Sequence, residues 1–254
     1  VIASIDGRRH MIIRAARFVR PTLAAFCAAS LAALGACGGG SFCIGFDSCT
    51  ASSTQSVTLS GTAATGRALA SATVGASCAQ GSGSTLSDGG GHYSFTFNAT
   101  PPCIVTVTSG NTTLHAPAFA SGTFNTTPET ELMLVYLAAQ LGTSEANLIA
   151  GFPGNAQFLN VLSNQDDVLA AQSAVVTNLQ QHYAVTLAVP AFLTTPFVVG
   201  QAGVDSDLEA LAKAGAIDAN GMPDPAAVSL MSTAGQARPF TATSSPSSGT
   251  GGAM

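Results

Sequence analysis

The 254-residue chain carries a formal net charge of −5, is 8% charged and 46% hydrophobic, and has six cysteines and no tryptophan. It is long enough for one or two domains with a sizeable core. Subtracting the five arginines and one aspartate that precede Cys37 takes the net charge from −5 to −9, with Arg67, Lys213 and Arg238 as the only remaining lysines and arginines. Such a body repels phosphate backbones, whose binding depends on lysines and arginines that displace counterions, so nucleic acid is excluded as a partner. The missing tryptophan weakens a sugar-stacking role, and the low charge together with abundant Ala, Gly, Ser and Thr suggests an exported bacterial protein.

Met11 begins a segment that reads as an export signal, and residues 1–10 are compatible with a mis-called start. Arg14, Arg17 and Arg20 supply a positive region and Leu23 to Ala36 an apolar one. That run falls short of the roughly 20 apolar residues of a membrane span and ends in small residues, as a cleavage site should. Residues 1–36 are therefore expected to be a signal peptide. The ending Leu34-Gly35-Ala36-Cys37 resembles the lipobox of bacterial lipoproteins. The resemblance implies that the Cys37 sulfur receives a diacylglyceryl group and becomes the mature N-terminus. Two or more acyl chains hold a protein stably at a membrane where one does not. Gly38 stands where many inner-membrane lipoproteins carry aspartate, which makes the outer membrane the expected destination.

Since 38–41 and 50–54 are small and polar, residues 37–56 read as a flexible tether. Within them Cys43 and Cys49 enclose a loop short enough for a local disulfide, and no nearby histidine or third cysteine completes a tetrahedral metal set.

From Val57 the pattern changes to alternating runs with period two: 57–61, 72–78, 92–97 and 103–108. Tyr93, Phe95 and Phe97 share one face of the third run, and Cys103, Val105 and Val107 one face of the fourth, as in half-buried strands. Sheets of this kind bury their apolar faces against each other, which predicts a small antiparallel β-sandwich over 57–126. Gly61, the stretch Gly66-Arg67-Ala68-Leu69-Ala70-Ser71-Ala72-Thr73-Val74 and the stretch Ser87-Asp88-Gly89-Gly90-Gly91-His92-Tyr93-Ser94-Phe95 together resemble the carboxypeptidase regulatory-like, prealbumin-like domain of bacterial surface proteins. Ala68 stands where that family usually has proline and Ser71 where it usually has glycine. The resemblance implies an Ig/prealbumin-like sandwich and brings no catalytic residue with it. Asp88 reads as a cap on the amides of its turn, and His92 and His115 read as surface or strand-end residues. Cys43, Cys49, Cys78 and Cys103 admit three pairings. Strand ends favour Cys78 with Cys103, closing a loop worth roughly 3 kcal/mol, and leave Cys43 with Cys49 as its complement.

After Thr127 the period lengthens, and residues 127–240 are expected to form a mainly α-helical domain, giving an α+β chain in two parts. Thr126 and Glu129 suggest a capping box around Pro128, followed by a helix that Gly142 ends. Shorter helices are expected from Ser144 to Ile149 and from Asn155 to Leu162. A longer one is capped by Ser163 or Asn164 and carries Val168, Ala171, Val175 and Leu179 on one stripe, and another runs from Val204 to Ala214. Pro190 and Pro196 make 186–200 looped or extended. Residues 241–254, rich in Ser, Thr and Gly, are expected to be a disordered tail.

The search for chemistry returns no nucleophile elbow, zinc helix, P-loop or dinucleotide fingerprint. Glu129 and Glu131 read as first-turn acids complementing the helix dipole, too far apart around the helix to face one substrate. Asp205, Asp207 and Glu209 invite the same reading. The stretch from Asp218 to Asp224 resembles half a calcium loop without its bidentate acid and reads as a plain turn. His182 lacks an identifiable partner. The sequence thus predicts no catalytic residue, cofactor or metal. It points to a lipid-anchored envelope protein that is not an enzyme, with a binding or structural module facing a protein or glycan partner. The alternative is a small-ligand carrier, or an accessory subunit of an envelope complex, with an apolar pocket between helices.

Overall fold

The computed structural model of the chain describes residues 54–240. The leader, Cys37, the Cys43–Cys49 pair and the tail at 241–254 lie outside the described residues. Six strands and six helices make an α+β fold, with the strands in the earlier half and the helices following.

The strands are β1 (Gln55–Thr62), β2 (Thr73–Gln80), β3 (Ser82–Leu86), β4 (His92–Ser109), β5 (Thr112–Ala118) and β6 (Gly122–Thr123). β4 organises the sheet. Its first half pairs antiparallel with β1, from Thr62 opposite His92 to Gln55 opposite Ala99. Its second half lies between β2 and β5, with Val74 opposite Val107 on one side and Leu114 opposite Val107 on the other. The aromatic run at 92–97 and the Val-rich run at 103–108, expected as separate strands, are therefore one strand. Side-chain alternation holds along both halves: Tyr93 is buried with Phe95 and Phe97 partly covered, and Cys103, Val105 and Val107 are fully buried. The path across the sheet runs β3-β2-β4-β1-β6, so β3 is an edge strand.

The helices are α1 (Pro128–Gln140), α2 (Glu145–Gly151), α3 (Ala156–Ser163), α4 (Gln165–Tyr183), α5 (Val204–Lys213) and α6 (Pro225–Gln236). α1 is buried from Pro128 to Ala139 on every face, as expected of a helix apolar nearly all round. It packs against β5, α2, α4 and α6. Its cap is Thr127, one residue beyond the expected Thr126. The Thr127 Oγ1 accepts from the Thr130 amide, and the Thr130 hydroxyl accepts from the Thr127 amide. Threonine thus takes the place expected of Glu129, whose carboxylate takes no part in the cap. Ser144, Asn155 and Asn164 cap α2, α3 and α4 through side-chain oxygens, in agreement with the predicted starts. α6 was not anticipated; Asp224 caps it and Pro225 opens its first turn.

Strands and helices share one buried apolar set, from Val57 and Leu59 in β1 through the whole of α1 to Met231 in α6. Residues 186–200 are looped, as their prolines require, and buried polar groups hold them in place. The Asn125 Nδ2 donates to the carbonyls of Phe192 and Thr195, both at 2.7 Å, while its Oδ1 accepts from the Thr62 amide at the end of β1. The Gln172 Oε1 in α4 accepts from the Leu193 amide at 3.0 Å. Each pairing satisfies a buried group that would otherwise cost about 1–3 kcal/mol.

α6 approaches α1 closely enough that a Cβ on Gly235 would lie 2.4 Å from the Tyr136 carbonyl oxygen and 2.7 Å from the Ala139 Cβ. Gly235→Ala is therefore expected to lower stability by about 2 kcal/mol through overpacking, read as a lower urea midpoint. A shift below about 0.5 kcal/mol would show that the two helices separate freely.

Candidate functional site

Two of the four cysteines expected to pair lie within the described residues, and they are bonded. Cys78 of β2 stands directly opposite Cys103 of β4, and a disulfide joins them across the pair. Asp88 caps its turn as anticipated, its Oδ1 accepting from the amides of Gly90 and His92 at 2.8 Å each. These bonds, that to His92 foremost, hold its carboxyl below the ordinary value. Asp218 makes the same kind of turn with Asn220 and Met222. His182 is exposed and meets Tyr183 edge to face.

His115 is placed otherwise than the sequence suggested, while Glu129 and Glu131 stand in the first turn of α1 as expected. His115 lies in the middle of β5, half-buried, and not at a strand end. Its Nδ1 is 3.1 Å from both carboxylate oxygens of Glu131, and its backbone amide also donates to Glu131. One residue earlier in α1, the Thr130 hydroxyl donates to the His115 carbonyl at 2.7 Å. Two successive α1 side chains therefore fix the backbone and the ring of one β5 residue. Glu145, the first residue of α2, completes the group: one ligand atom from each of His115, Glu131 and Glu145 lies within 4.8 Å of the other two. Burial, and then the charge of Glu131 beside it, raises the Glu145 carboxyl to about 9. Its Oε1 is buried and has no hydrogen-bond partner.

Glu129 points to the other side of α1, as a spacing of two residues on a helix dictates. It is 1% exposed, and neither carboxylate oxygen has a hydrogen-bond partner. Burial pushes its carboxyl well above the usual range, and the nearby Asp207 carboxylate pushes the same way. Asp205 and Asp207, read from the sequence as dipole partners of α5, are buried and also anchor the preceding loop. Asp207 accepts from the amides of Ala188 and Val189, and Asp205 from that of Gly200.

Three of the clefts among the described residues lie elsewhere. A groove of ≈ 490 Å³ runs between α1, α4 and α6, where Tyr136, Ser173, Thr177, Asn178 and Arg238 meet alanines. A second, of ≈ 380 Å³, lies beside Tyr93 and Phe197, and a third, of ≈ 310 Å³, beside Arg67 and Glu209. The His115 group lines none of the three. Chemically, an imidazole beside two close carboxylates can hold a proton or a cation. No local sequence signal announces the group, because its members come from a strand and two helices and meet only through the packing of α1 on β5.

No family model, no curated protein and no solved structure matches the chain.

Proposed function

We propose that the protein is a lipid-anchored component of the bacterial cell envelope, held at the outer membrane through acylated Cys37. Its body, in this reading, is a non-catalytic binding or structural module that meets a protein or glycan partner. The observation that carries the reading is Leu34-Gly35-Ala36-Cys37 at the end of an arginine-led apolar run. The Cys78–Cys103 disulfide supports it, since such bonds persist in oxidising compartments. No helix among the described residues is long and apolar enough to cross a membrane.

The strands at 57–126 are proposed to be the carboxypeptidase regulatory-like sandwich. Two features support this. The halves of β4 carry different partners, as a strand shared between two layers would. Ser71, at the position where that family usually has glycine, has φ 53°, the left-handed conformation that glycine favours. Contact with a partner is supported by edge strand β3, whose outer backbone groups are unpaired by any other strand among the described residues and whose Leu86 is 63% exposed. An extended segment can add to such an edge. The alternative of a small-ligand carrier is favoured by one observation, the groove between α1, α4 and α6, which has the size of a ligand site. Its hydroxyl, amide and guanidinium groups suit a polar ligand better than the apolar one first expected.

Labelling cells with a palmitate analogue tests the anchor. The wild type is expected to carry label and fractionate with the outer membrane, whereas Cys37→Ala loses both. Equal labelling of the two would overturn the lipid anchor.

A further inference from the structure

We propose that His115, Glu131 and Glu145 form a binding site for one borderline divalent cation, with Zn²⁺ as the preferred ion. No spacing in the sequence marks the set, because the three residues are 14 and 16 positions apart along the chain and belong to different elements.

The donor set is the first argument. One imidazole and two carboxylates match the N and O ligands that Zn²⁺ takes, whereas Ca²⁺ needs six to eight oxygens and Mg²⁺ a near-octahedral oxygen shell. Distance is the second. Bonds of about 2.0–2.1 Å in a tetrahedral zinc site place neighbouring donor atoms about 3.3 Å apart. The His115 Nδ1 already lies 3.1 Å from each oxygen of Glu131, close to that separation, and an ion entering there replaces the hydrogen bond between them. Glu145 closes the group within 4.8 Å, and its buried Oε1 has no hydrogen-bond partner to give up.

The surroundings are prepared as well. Metal ligands are normally oriented by hydrogen bonds from outside the site. Here the His115 amide donates to Glu131 and the Thr130 hydroxyl holds the His115 carbonyl, which fixes two of the three ligands before any ion arrives. Glu131 is 7% exposed, and Glu145 Oε1 is buried without a partner beside that second carboxylate. Two carboxylates in such a place repel each other unless a proton or a cation lies between them. Three protein ligands leave a fourth position for water or for a group from a partner. The ion would fasten the start of α2 to α1 and β5.

Isothermal titration of ZnCl₂ into the full chain, stripped of metal and with its free thiols alkylated, tests the site. One Zn²⁺ per chain is expected at micromolar Kd or tighter, and MgCl₂ at the same concentrations should give no saturable binding. His115→Ala and Glu145→Gln are each expected to weaken zinc at least tenfold, and His92→Ala, which alters the exposed Asp88–His92 pair, less than twofold. Glu145→Gln keeps the shape of the side chain, so it remains informative if His115→Ala folds poorly. Absence of saturable zinc binding would overturn the proposal and leave a carboxyl pair sharing a proton. Zinc binding that survives both Glu145→Gln and His115→Ala would overturn it too, by placing the ion elsewhere.

Discussion

Replacing both Cys78 and Cys103 by alanine is expected to lower the unfolding free energy by about 3 kcal/mol. The bond closes a loop of 25 residues between β2 and β4. In the chain-entropy view, cutting it returns to the unfolded chain the freedom that the closed loop had removed. Both sulfurs are buried, so the alanines also give up some packing, while the small volume change keeps that cost below the entropic one. For a domain of this size the loss corresponds to a fall in melting temperature of about 6–12 °C. A fall of that size would take a large share of the 5–15 kcal/mol typical of a folded domain. Urea denaturation of the double variant beside the oxidised wild type measures it. A difference below about 1 kcal/mol would mean that the sheet holds β2 on β4 unaided. The link to function would then weaken, because the fold would have no need of an oxidising compartment. The bond joins the two strands that frame the centre of the sheet, so its loss should first expose the β2–β3 edge proposed to receive a partner.

How far these features could be read from the sequence depends on whether their causes are local. The starts of α2, α3 and α4 were visible because a Ser or Asn cap and the apolar stripe behind it lie within one or two turns of each other. The unity of β4 is not visible in two separate alternating runs, 92–97 and 103–108, because Pro101 and Pro102 lie between them, inside one strand whose partner changes from β1 to β2. β3, with the sequence Ser-Gly-Ser-Thr-Leu, has almost no apolar alternation to detect and exists because β2 supplies its hydrogen bonds. α6 carries a signal, Asp224 at the cap and Pro225 in the first turn, but the preceding Asp-Ala-Asn-Gly-Met-Pro run reads as a turn that takes in the cap residue. The His115 group is the extreme case. Glu131 was correctly separated from Glu129 by helical geometry, yet nothing near His115 in sequence marks it as the residue that Glu131 meets. Only the burial of α1 against β5 brings them together.

The opposite face of α1 carries the second large expectation. Glu129 is buried with both oxygens unpartnered, and its carboxyl is raised well above the ordinary value of 4.5, first by burial and then by Asp207. An acid whose folded-state value is raised holds its proton in the fold after the unfolded chain has released it. The folded state then binds more protons than the unfolded state, and stability falls as pH rises above about 4.5. Glu145, raised to about 9, acts in the same direction over the window between its ordinary value and about 9. Glu129→Met keeps the length of the side chain and removes the ionisable group. Methionine removes both the cost of holding a proton that the unfolded chain has released and the two unpartnered buried oxygens, a gain of about 1–4 kcal/mol. The variant is therefore expected to exceed the wild type by that amount at pH 8 and by much less at pH 5, where Glu129 is protonated in the fold and only partly ionised in the unfolded chain. Denaturation with urea at the two pH values, in EDTA so that no ion occupies the Glu131–Glu145 pair, separates the contributions. Glu129→Met should remove part of the slope and leave the part that Glu145 supplies, and Glu129→Met with Glu145→Gln should flatten most of it. An unchanged slope in Glu129→Met would show that the carboxyl finds a partner in solution. The interior between α1 and α5 would then have to admit water or a cation, and Asp207 would be the first residue to test as its second ligand.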